Sequence, residues 1–184
     1  MILLVIGMTV FFLIHLLPSL VSFRQSLIHK LGLSAYKGIF ALIAAAALVL
    51  IVIGKIQADY VALWLLPAWT RYLTILLVFI SFILFPAAQM PGNIKRYTRH
   101  PMLWGVVLWS IGHLLANGDL SSLVLFGGFL VFALLNMLSA NLRGAQLQQQ
   151  ILPLRKDLIV IGAGIGVFIV LFFLHPYLFN ARIL

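Results

Sequence analysis

The chain has 184 residues, 64% hydrophobic and 8% charged, with 12 Lys+Arg against 3 Asp+Glu and no cysteine. Soluble domains carry about 25% charged residues, so that class is excluded, as are disulfide frameworks, cysteine-based metal centres and cysteine nucleophiles. The acids are Asp59, Asp119 and Asp157, too few for paired-carboxylate catalysis or multi-carboxylate metal sites.

The apolar residues fall in long runs, and a membrane-spanning helix needs about 20 of them. Six runs are present: Ile2–Val21, Tyr36–Ile56, Trp69–Ala88, Met102–Asn117, Leu120–Ala140 and Leu158–Phe179. The sequence therefore predicts an all-α, polytopic membrane bundle of about six transmembrane helices, forming a single domain over residues 1–184. The first run has no basic region before it and no small-residue cleavage site, so it reads as an uncleaved helix rather than a signal peptide.

His15 lies inside this first helix, with Phe11 one turn before it and Ser19 and Ser22 at i+4 and i+7 on the same face. Pro18 is expected to kink the helix and free a carbonyl. A histidine at this depth is either a neutral imidazole bonded to a neighbouring helix or a ligand to a metal or haem. His29 sits in a basic loop and reads as a solvated residue.

His100 precedes Pro101 at the start of the fourth helix, proline being a standard first residue. It reads either as an interfacial anchor or, with Arg99, as a partner for phosphate or cofactor propionates. His113 lies deep in the same helix, on a face with Met102, Val106, Trp109, Ser110 and Asn117. Gly105 and Gly112 beside it permit close approach of a helix or a ring. Ligation and helix–helix hydrogen bonding both remain open for His113. Depth along the helices does not decide which histidines would meet one metal.

The fourth run is short, and Asn117-Gly118-Asp119 joins it tightly to the fifth as a helical hairpin, with Gly118 as the expected C-terminal cap. Asn136 and Ser139 on the fifth helix are expected to form interhelical hydrogen bonds. Gly162 and Gly166 on the sixth have GxxxG spacing, a packing face. His175-Pro176 with Tyr177 reads as an interfacial group at the end of that helix.

The formal net charge is +9. Residues 23–37 hold Arg24, Lys30 and Lys37, residues 89–101 hold Lys95, Arg96 and Arg99, and residues 141–157 hold Arg143, Arg155 and Lys156. These alternate connections carry nine of the twelve basic residues, whereas Lys55, Arg71 and Arg182 fall on the opposite side. The positive-inside rule places the three basic connections in the cytoplasm and both termini outside. The expected partner of this charge is the lipid bilayer, through anionic headgroups, and not nucleic acid, since no compact basic domain is present.

Two stretches, Arg99-His100-Pro101-Met102-Leu103-Trp104-Gly105 and Leu108-Trp109-Ser110-Ile111-Gly112-His113-Leu114-Leu115-Ala116-Asn117-Gly118-Asp119, resemble the NnrU family of bacterial membrane proteins. The His15 helix, Leu125-Phe126-Gly127-Gly128-Phe129 and Leu174-His175-Pro176-Tyr177-Leu178-Phe179 fit the same pattern, so the resemblance covers nearly the whole chain. Residues 141–157 match it least. The resemblance implies an inner-membrane protein tied to nitrite and nitric oxide metabolism in denitrifying bacteria. The plant 15-cis-ζ-carotene isomerase, which uses haem b, is similar to this family. Its two haem-ligand histidines match His15 and His113, and a cysteine of that enzyme corresponds to Ser110.

These implications give the expected function: haem b held by His15 and His113, with Ser19, Ser110 or Asn117 orienting the imidazoles and Arg99 and His100 pairing with propionates. The expected substrate is a small gas, a quinone or an apolar polyene, turned over by isomerisation or redox chemistry. A non-enzymatic assembly factor for respiratory reductases, acting as a homo-oligomer or within a respiratory complex, is the alternative. An Arg-His-Pro helix start is also similar to that of membrane methyltransferases using S-adenosylmethionine, but those need a C-terminal glutamate and this chain has no Glu.

Overall fold

The structure, a computed structural model, describes residues 1–179. It divides into two compact units, Met1–Val61 and Ala62–Leu184. Arg182, which the charge pattern sets on the outer side, lies outside the described residues. Among those residues there are only helices, turns and one isolated bridge, between Ala62 and Asp119.

The first unit comprises helix α1 (Ile2–Leu16), a 3-10 turn (Leu17–Ser19), α2 (Val21–Leu31) and α3 (Leu33–Ile56). The second comprises α4 (Thr70–Gln89), a 3-10 turn (Asn93–Arg96), α5 (Pro101–Leu114), α6 (Leu120–Leu142) and α7 (Leu154–Phe179). Ile2–Ser19, α3, α4, α6 and α7 are long and apolar enough to cross a membrane. At 14 residues, α5 extends only about 21 Å at 1.5 Å per residue, against a hydrocarbon core of about 30 Å. Large apolar side chains such as Leu42, Leu65, Leu135 and Phe173 face outward, as they do where lipid is the solvent. The chain is a multi-pass membrane protein.

Two sequence expectations change in the first unit. Pro18 does not kink a continuous helix. Instead α1 ends at Leu16, Pro18 sits in the 3-10 turn and a new helix starts at Val21, because proline cannot donate a backbone hydrogen bond. Ser19 and Ser22 therefore do not continue the helical face of His15. The basic stretch read as a loop is largely helical, with Arg24, His29 and Lys30 on α2. Gly32, at φ 79°, turns the chain from α2 into α3.

Glycine sets how closely helices pack. A side chain on Gly54 of α3 would overlap the backbone of Leu3 and Leu4 on α1. In the second unit a Cβ on Gly112 would lie 3.1 Å from Val78 Cγ2 and 3.3 Å from the Thr74 carbonyl, so α5 rests on α4. α7 packs on α4 through Gly164, where a Cβ would lie 2.6 Å from the Phe82 carbonyl, while Gly162 and Gly166 meet nothing. The GxxxG pair is thus not the packing face; the glycine between them is. Val107, Ala133 and Met137, with Leu103, Val106, Ile111 and Leu130 against them, join α5 to α6.

Gly118 is not a left-handed cap, since among the described glycines positive φ occurs only at Gly32 and Gly144. Its carbonyl accepts from Leu63 N–H (2.8 Å) and Trp64 N–H (3.2 Å), and the Trp64 backbone leaves no room for a Cβ. The adjacent Asp119, 4% exposed, caps α6. Its Oδ1 accepts from Ser122 N–H (2.9 Å) and the Ser121 hydroxyl (2.5 Å), and its Oδ2 from the Ser122 hydroxyl (2.5 Å). At the other end of the unit, Asp157 takes the backbone N–H and the side-chain amide of Asn93, each at 2.6 Å. Asn93 also accepts from Leu152 N–H at 2.8 Å, tying residues 145–153 to the Asn93–Arg96 turn.

Asn136 and Ser139, expected to bridge helices, bond locally: the Asn136 amide donates to the Phe132 carbonyl of α6 at 2.8 Å, and the Ser139 hydroxyl accepts from Arg143, just past the end of that helix.

Two stability predictions follow from this packing. Gly54→Leu forces α1 off α3 and should cost about 1–3 kcal/mol, read as a lower thermal midpoint in detergent. Asp119→Ala removes a helix cap and the hydrogen bonds it accepts from two buried hydroxyls, and should lower stability by about 2 kcal/mol or more in the same assay.

Candidate functional site

Both membrane-depth histidines turn one ring nitrogen back onto their own helix. In α1, His15 Nδ1 lies 2.7 Å from the Phe11 carbonyl, four residues earlier. In α5, His113 Nδ1 lies 2.8 Å from the Trp109 carbonyl, again four residues earlier. A carbonyl can only accept, so Nδ1 carries the proton in each case. A neutral imidazole protonated at Nδ1 bears its lone pair on Nε2, and that is the ligating form. The helix thus sets a tautomer that leaves Nε2 able to accept a hydrogen bond or a metal.

Around His15 the first unit supplies aromatic walls. Phe11 stacks on the ring at 4.0 Å and 25°, and Phe40 of α3 meets its edge at 5.2 Å. Phe40 also contacts Tyr36 at 6.5 Å, and the Arg24 guanidinium lies 5.9 Å from the Tyr36 ring. The Tyr36 hydroxyl is buried and has no hydrogen-bond partner.

In the second unit His113 sits in the last turn of α5 within a ring cluster. Trp109 lies 4.9 Å away, and Phe126 stacks on His113 at 4.5 Å and 24°. Phe126 belongs to a π-helical turn, Leu123–Gly127, inside α6. Such turns insert one extra residue and are frequent at functional sites. Trp109 also packs against Phe126 at 4.9 Å and Phe129 at 5.6 Å. His175 of α7 lies with its ring centre 6.5 Å from that of His113 and its plane 27° away, and Phe179 packs on His175 at 5.0 Å.

The other expected site residues divide. Asn117 stays with His113: its side-chain amide donates to the His113 carbonyl at 2.8 Å, closing the end of α5. Ser110, one turn before His113, is fully buried, and its hydroxyl has no hydrogen-bond partner. Arg99 and His100 stand at the opposite end of α5, about 20 Å from His113 along the helix. Arg99 Nη1 (3.2 Å) and His100 Nε2 (3.0 Å) both donate to Asn141 Oδ1, at the end of α6. The structure therefore does not gather Arg99 and His100 with His113.

Sequence reading treated His175 as an interfacial group and missed its place beside His113. The signal was available: Phe168, Phe172, His175 and Phe179 recur at i, i+4, i+7 and i+11, one helical face.

Among the described residues, no three His, Cys, Asp or Glu side chains gather around a point. The donors are imidazoles alone, with aromatic surroundings and an orphaned hydroxyl. Such a set suits a flat prosthetic group that brings its own equatorial nitrogens better than a bare ion needing three or four protein ligands. The residues present thus fit haem. The buried Ser110 hydroxyl yields a prediction for the protein without ligand. Ser110→Ala loses no bond and removes a desolvated group, so the thermal midpoint should hold or rise; a fall of several degrees would show that the hydroxyl is bonded.

No curated protein and no solved structure matches the chain. The family described as NnrU protein matches residues 3–183, spanning both units and every helix described above. The chain belongs to the NnrU family.

Proposed function

We propose that this NnrU protein binds haem b in the membrane, with the helix-bound histidines His15 and His113 each a candidate ligand, and serves nitrogen-oxide metabolism or a haem-dependent isomerase or redox reaction on an apolar substrate. The observation that carries the reading is the Nδ1–carbonyl bond made by each of these histidines. Of the two nitrogens, it leaves Nε2 as the unprotonated one, and neutral imidazole suits iron. When bound, haem would supply a redox-active Lewis-acidic iron.

This chain's own residues would orient and enclose the group. Phe11 and Phe40 fix the His15 ring, while Trp109 and Phe126 fix that of His113. Asn117 anchors the last turn of α5, on which His113 is carried. The unpartnered Ser110 hydroxyl is available to a polar atom of a ligand or to a water. Arg99 and His100, held on Asn141, serve the charged interface rather than this cluster. In this reading the protein lies in the bacterial inner membrane, with the basic connections in the cytoplasm and both termini outside.

The test is the visible spectrum of the protein purified in detergent, before and after haem supplementation. A Soret band that disappears in His113→Ala and persists in His29→Ala is expected. A wild-type protein that stays colourless after supplementation contradicts the proposal.

A further inference from the structure

We infer that His175 is the imidazole that takes the axial position opposite His113, so that α5 and α7 of the second unit hold the metal between them. The inference rests on the haem reading above and sets His175, in place of His15, opposite His113.

Three observations carry it. First, the His113 and His175 ring centres are 6.5 Å apart with planes 27° from parallel. With metal–nitrogen bonds of about 2.0–2.1 Å, two imidazoles on opposite sides of one metal have ring centres roughly 6–6.5 Å apart. A tetrahedral ion would draw them to about 5 Å. The observed spacing matches that of two imidazoles on opposite sides of one metal. Second, the tautomer of His113 is set by the Trp109 carbonyl, which leaves Nε2 for the metal. Third, both rings are backed by aromatic neighbours that hold their orientation, Phe126 on His113 and Phe179 on His175.

The helix bearing His175 also differs at this turn. Pro176 lies inside α7 and cannot donate to the carbonyl four residues earlier, that of Phe172. One backbone bond is therefore missing beside His175, which eases small shifts of its ring toward a metal. The interfacial expectation for His175 accounted for none of this.

The experiment loads wild-type protein, His15→Ala, His175→Phe and His113→Ala with haem b in detergent. Spin state is read by electron paramagnetic resonance of the ferric form, and folding by thermal unfolding. His175→Phe keeps a ring against Phe179, so its fold is expected to survive. The wild type and His15→Ala should both be low-spin, with two nitrogen axial ligands. His175→Phe should turn high-spin and return to low-spin on addition of free imidazole. A His15→Ala protein that becomes high-spin overturns the inference, as does a His175→Phe protein that stays low-spin. In either case haem retained by the wild type leaves the broader function standing, whereas a wild type that binds no haem overturns both.

Discussion

A chain whose solvent is lipid has no water to hydrogen-bond its polar groups in the hydrocarbon, so each must find a partner within the protein. Here the commonest solution is local. Thr9 donates to the Val5 carbonyl, Asn117 to that of His113 and Asn136 to that of Phe132, each four residues back on the same helix, whereas the Thr74 hydroxyl also crosses to the Gly112 carbonyl of α5 at 2.8 Å. The two histidines obey the same rule. A group satisfied by its own helix does not need a neighbour. This is why Asn136, placed to join helices, bonds within one, and why packing falls to small residues such as Gly54, Gly112 and Gly164. Helix association in lipid gains little from apolar burial and depends on such close backbone approach.

The same constraint makes the histidines chemically specific. For serine or asparagine, a bond to the helix carbonyl fills the side chain's main demand. For imidazole it uses one nitrogen and fixes the other as an acceptor. The helix thereby orients an imidazole and leaves Nε2 as an acceptor without a supporting carboxylate, which a chain with three acids does not have to spare. Asp119 is committed to the start of α6 and Asp157 to the Asn93 turn. The histidines and the orphaned hydroxyls of Tyr36 and Ser110 are what remains for chemistry at membrane depth.

Hydropathy and charge made much of the fold legible. Every apolar run holds a helix, and the shortest run gave the shortest of those six helices, although Pro18 stopped the helix of the first run at Leu16. What stayed hidden were features set by packing rather than by pattern. The extended chain at Leu63 and Trp64 occupies Gly118 and changes its role from cap to crossing point. Nothing in the GxxxG spacing says that Gly164 faces α4 and its neighbours do not. The histidines of the candidate site were legible from their depth, and Ser110 and Asn117 from the face of α5. Arg99 and His100 were grouped with them by motif, although thirteen residues of helix separate His100 from His113. His175 was hidden for the opposite reason: nearness to the end of its helix masked a contact made across the bundle.

The claim most exposed to measurement is that a helix-bound imidazole in this chain presents an unprotonated Nε2 to haem iron. Optical titration of the detergent-purified protein with haem b tests it most directly. Saturation at one haem per chain, with the Soret and visible bands of six-coordinate bis-imidazole iron, is the result expected. Absorbance that only tracks free haem in detergent micelles, without saturation, would contradict it.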